Sequence, residues 1–89
     1  MIEKKVIIQN EIGLHARPAS LVVKAATGFK SDIYFIKDKN LFNCKSIMNV
    51  LSMGALKGQE LILQADGPDE EKAIDAIVRL IEVELIEKE

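Results

Sequence analysis

One cysteine, one histidine and four aromatic residues are few for an 89-residue chain, and each shortage excludes something. The lone thiol, Cys44, can close no internal disulfide. With a single histidine and no Cys-x-x-Cys pair, no zinc-ligand set can be assembled. The candidate strands carry only Tyr34, Phe35 and Phe42, with no aromatic pair flanked by bases, which argues against an RNA-stacking platform. No run of 18 apolar residues is present, so no transmembrane helix is expected. The opening Met1-Ile2-Glu3-Lys4-Lys5 leads into a short apolar patch rather than a signal-peptide core, and the expectation is a cytoplasmic protein without membrane insertion. A strong charge of one sign is missing too. The net charge is −2, with no basic stripe of the kind that binds nucleic acid.

What is present suits one small soluble domain, residues 1–89: 48% hydrophobic and 29% charged residues. The charge is unevenly spread. Residues 69–89 hold eight acids against three bases, and residues 1–68 hold six acids against nine bases. The basic part therefore suits an acidic partner or a phosphate.

Alternation of apolar and polar residues over Met1–Asn10 predicts a strand that buries one face more than the other. Ala16–Thr27 is rich in Ala, Leu and Val, with Pro18 near its start and Gly28 just past its end, the expected helix asymmetry. Asp32–Lys37 reads as a second strand, Asp38-Lys39-Asn40 as a turn and Leu41–Asn43 as a short third strand. Ser46 suits a helix N-cap, followed by a short helix from Ile47 to about Met53 that Gly54 stops. Glu60–Ala65 is a fourth strand. Gly67-Pro68-Asp69-Glu70-Glu71 is a turn and N-cap with acids at the positive end of a helix. Ile74, Ile77, Val78, Ile81 and Leu85 then recur at helical spacing. The order βαββαβα, with strands apolar on one face, predicts an α+β fold: one sheet with all helices on its apolar side.

The chemistry concentrates in Gly13-Leu14-His15-Ala16-Arg17-Pro18-Ala19. His15 falls where strand gives way to helix, as an N-cap. There the unpaired amides of the first turn and the helix dipole attract anions. Arg17 adds a permanent cation with donors suited to phosphate oxygens. Pro18 fixes the first turn where an amide is not needed. The positive potential is expected to hold the free imidazole neutral and nucleophilic toward phosphorus. The dianion of an attached phosphoryl group is expected to favour the protonated ring, which is the better leaving group. A lone histidine at a helix start can also be inert, and these residues alone leave that reading open.

The seven-residue segment resembles the active-site signature of HPr, the histidine phosphocarrier family of the bacterial phosphoenolpyruvate-dependent sugar phosphotransferase system. Lys45-Ser46-Ile47-Met48, with Ser52-Met53-Gly54, resembles its second signature. The resemblance covers the whole chain in length, element order and motif spacing. It implies an open-faced β-sandwich, a four-stranded antiparallel sheet with three helices on one face. It also implies a carrier rather than an enzyme, with no cofactor, that borrows its partners' active sites. Enzyme I would phosphorylate Nδ1 of His15, and the A components of sugar permeases would remove the phosphoryl group. Arg17 and the Ala16 and Arg17 amides would steady it.

Ser46 resembles the regulatory serine of the Gram-positive members. The resemblance implies phosphorylation by HPr kinase/phosphorylase and binding to a catabolite control protein, with repressed transfer to His15. Capping alone would also explain a serine there, and the two roles are compatible. A two-turn helix cannot bury all of Ile47, Met48, Val50, Leu51 and Met53, so an apolar patch is expected to remain for partners. The resemblance assigns Ile47, Met48 and Leu51 to that surface, and Lys24 and Lys45 could add steering charge. Ile12 departs from a small hydroxyl residue common before the glycine, and Asn49 from a frequent glycine. The competing readings are a signalling paralogue, a small RNA- or metal-binding module, and a free-standing enzyme. His15 argues against the first, and the absence of a second acid/base partner against the last. A monomer is expected.

Overall fold

Val6 and Ile8 are fully buried, and Ile7 between them, like Glu3 and Lys5 before them, faces outward, the period-2 pattern of a half-covered strand. In the computed structural model, which describes residues 1–11 and 13–85, this strand is β1 (Ile2–Ile7). There follow α1 (Ala16–Thr27), β2 (Asp32–Lys37), β3 (Asn40–Asn43), α2 (Ile47–Met53), β4 (Glu60–Asp66) and α3 (Glu70–Arg79). The helices match their predicted spans closely. The strand ends differ by a few residues, because β1 stops where its partner β4 begins, at the pair Ile7–Glu60.

The sheet order is β1-β4-β2-β3 and every pairing is antiparallel. β4 thus sits between the first and second strands, with Leu63 opposite Lys4 on one side and Phe35 on the other. The core gathers on one face from Val6, Ile33, Phe35, Leu61, Leu63 and Ala65, capped by Ala19, Val22 and Ala26 of α1 and Ile77 of α3. Each large side chain buried there contributes roughly 1.5–3 kcal/mol. The expected open-faced arrangement of four antiparallel strands and three helices is the one found.

Two features differ from the sequence reading. After Arg79 the last helix widens into a π-turn, Leu80–Glu84. Leu80, Ile81 and Leu85 are all buried in the core along this segment. Asp69 does not cap its own helix through its side chain. Its carboxylate instead accepts hydrogen bonds from the Lys30 and Ser31 amides, each at 2.9 Å, and from the Ser31 hydroxyl. Those donors hold its pKa down at about 2. Cys44 is fully buried, and burial pushes its thiol well above the ordinary range, so it packs as a small apolar residue.

Candidate functional site

Proline at the third helical position decides which amides of α1 remain available. His15 is the N-cap, in extended conformation, and its carbonyl accepts the Ala19 amide at 2.8 Å. Pro18 has no N–H, so the unpaired donors of the first turn are those of Ala16 and Arg17. The imidazole makes no capping hydrogen bond, and His15, Ala16 and Arg17 are all exposed. No acidic residue lies in the first turn, and Arg17 has no ion-pair partner among the described residues. Ring, guanidinium and two amides therefore share one open helix end with positive dipole.

The loop carrying His15 is tied to the segment after α2. The Leu14 amide donates to the Ala55 carbonyl at 2.9 Å. Gly13 has φ +75°, and a Cβ there would lie 2.3 Å from the same carbonyl oxygen, so only glycine lets the two segments meet. Asn10 holds the loop from the other side: its backbone carbonyl accepts the Gly13 amide, and its side-chain nitrogen donates to the Gly13 carbonyl. Ile12, one of the two departures, lies outside the described residues.

α1 and α2 pack against each other, and the Leu14–Ala55 hydrogen bond brings the segment just after α2 to the His15 end. Ser46 caps α2, and its Oγ accepts from the Asn49 backbone nitrogen at 3.3 Å. The side chain of Asn49, the other departure, donates to the same oxygen at 3.2 Å, and its Oδ1 accepts the Asn43 amide. Asn49 thus adds a bridge between β3 and α2 that a glycine could not make. Ile47, Met48 and Leu51 are all exposed, Met48 to 72%. Leu56, at 59%, extends the apolar surface. Sequence reasoning missed it, although an apolar residue in the short loop between Gly54 and Gly58 was the available signal.

Two lysines proposed for steering are placed apart from His15. Lys24 lies in the last turn of α1, roughly 13 Å along the axis from His15. Lys45 is half-buried, and its Nζ donates to the Phe29 carbonyl at 2.9 Å, securing the loop after α1 rather than projecting toward a partner.

The family model for the HPr component of the phosphotransferase system, described by its phosphorylation site, matches residues 2–83. Phosphocarrier protein HPr of Treponema pallidum is 48% identical over 82 residues, which is 92% of this chain and 93% of that protein. The HPr-like protein Crh of Bacillus subtilis is 38% identical over 85 residues, 96% of this chain and 100% of that protein. The crystal structure of HPr from Thermoanaerobacter tengcongensis superposes with a TM-score of 0.93 at 46% identity, covering 100% of this chain and 99% of that one. A second structure of HPr from that organism is a dimer.

Proposed function

Because the chain belongs to the HPr family, phosphocarriers of the phosphotransferase system rather than enzymes, we propose that His15 is its phosphoryl acceptor and Arg17 its anion anchor. The supporting observation is an exposed imidazole at a helix N-terminus that also carries two first-turn amides and the exposed Arg17, which has no ion-pair partner among the described residues. In this reading the neutral ring nitrogen Nδ1 attacks the phosphorus carried by Enzyme I. The nitrogen–phosphorus bond forms as the bond to the donor breaks, and its electron pair returns to the donor. The first-turn amides of Ala16 and Arg17 and the guanidinium receive the three phosphoryl oxygens. Transfer onward to the A components of sugar permeases is the same exchange with the roles reversed. The exposed Ile47, Met48 and Leu51 form the docking surface in both steps. Lys24, at the far end of α1, acts at the margin through charge. All groups at the His15 site come from one helix end, so a monomer in the cytoplasm suffices.

The test is incubation with Enzyme I and phosphoenolpyruvate, read by mass spectrometry. An acid-labile gain of one phosphoryl group is expected, and its persistence in His15→Ala would overturn the assignment. Ser46 is the proposed regulatory site, taken by HPr kinase/phosphorylase and read by a catabolite control protein. A phosphate on an N-cap is tolerated by the helix dipole and adds negative charge beside the docking surface. Ser46→Asp is expected to slow phosphorylation by Enzyme I about tenfold or more, and an unchanged rate would exclude the repulsion mechanism.

A further inference from the structure

Asn10 is a polar side chain that the reaction does not use, yet it is 1% exposed and lies five residues before His15. Both backbone polar groups of Gly13 bond to it. The Gly13 amide donates to the Asn10 carbonyl at 3.0 Å, and the Gly13 carbonyl accepts from Asn10 Nδ2. The carboxamide's other end, Oδ1, has no hydrogen-bond partner among the described residues. A side chain there only to fill space would leave no buried acceptor unmet, so the informative contact is the one Nδ2 makes.

We propose that Asn10 is a positioning residue for phosphoryl transfer, its buried carboxamide clamping the Gly13 carbonyl and so fixing where His15 presents its ring; this rests on the reading of His15 as acceptor.

The loop is gripped from two sides. Ala55 takes the Leu14 amide and closes against the Cα of Gly13, and Asn10 takes both polar groups of Gly13. Leu14 is buried. His15 follows directly as the exposed N-cap. Only a few backbone torsions separate the clamped peptide from the imidazole, so release of the Gly13 carbonyl shifts the ring relative to the Ala16 and Arg17 amides. Transfer depends steeply on that alignment.

Two variants test this. Asn10→Asp keeps the size and replaces the Nδ2 donor with an acceptor facing the Gly13 carbonyl, and Asn10→Ala removes the group. With Enzyme I and phosphoenolpyruvate, and the chain as varied substrate, kcat is expected to fall about tenfold with KM unchanged, since the docking surface is untouched. By NMR, the downfield displacement of the Ala16 and Arg17 amide protons on phosphorylation is expected to shrink in both variants. A folded variant with wild-type kcat and wild-type displacements overturns the proposal. If neither variant folds, the unaltered chain decides. A through-hydrogen-bond coupling between the Asn10 side-chain nitrogen and the Gly13 carbonyl carbon supports the clamp, and its absence overturns it. Failure of the unaltered chain to gain phosphate at His15 sinks the reading of the site instead, whatever that coupling shows.

Discussion

A few residues carry conformations that their neighbours impose. Gly13 is one, held at φ +75° against the Ala55 carbonyl. Asp69 is another, turned away from its own helix to collect three donors from Lys30 and Ser31. Its folded pKa, about 2, lies below the ordinary value near 4, so its contribution to stability is full above about pH 4. That contribution is lost as pH falls through 2, when the folded carboxylate also takes up a proton. Asp69→Asn is therefore expected to lower Tm at pH 7, and the deficit relative to the unaltered chain should narrow steadily between pH 4 and pH 2. Thermal melts across that range check it, and a deficit independent of pH would assign the effect to shape rather than charge.

At the scale of elements, the β2–β3 hairpin turns through Asp38 and Lys39, both with positive φ, at 51° and 68°. That is the sign pattern of a type I′ turn, which matches strand twist but strains residues bearing a Cβ. Lys39 is exposed. Lys39→Gly is expected to stabilise the chain by about 0.5–1 kcal/mol in urea unfolding, with transfer at His15 unchanged. α2 shows the opposite balance. Its seven residues bury Val50 and Met53 and leave Ile47, Met48 and Leu51 outside, so it keeps its place through the Ser46 cap, the Asn49 bridge and packing on α1. The same shortage of burial leaves Ile47, Met48 and Leu51 open for the docking role proposed above.

Across the whole molecule, one contiguous core underlies both the sheet and the site. Phe35 lies on central strand β2, opposite Phe42 on one side and Leu63 on the other, and is fully buried. Phe35→Ala is expected to lose about 3–5 kcal/mol. Leu14 belongs to the same buried cluster, so the His15 loop should be lost with the fold rather than before it. Circular dichroism and the capacity for phosphorylation are expected to fall at the same urea concentration. Earlier loss of phosphorylation would show the loop to be a separate unit.

The element order, the helix limits at Ala16–Thr27 and Ile47–Met53, and the candidate cluster around His15 were legible in the chain because they rest on local rules. Alternation, capping residues, and proline and glycine at helix ends act within a few positions of one another. The same local rules reached the candidate anion site at the helix end, while the particular partners came only through resemblance. What required tertiary structure depends on residues far apart in sequence. The grip of Ala55 on Gly13, the capture of Lys30 and Ser31 by Asp69, and the retention of Lys45 by Phe29 each join separate segments. The π-turn Leu80–Glu84, which packs against β1, was likewise not marked by any local signal. Local sequence sets which torsions are cheap, and long-range packing selects among them, so the candidate residue His15 could be read from the chain while the hold on its loop could not.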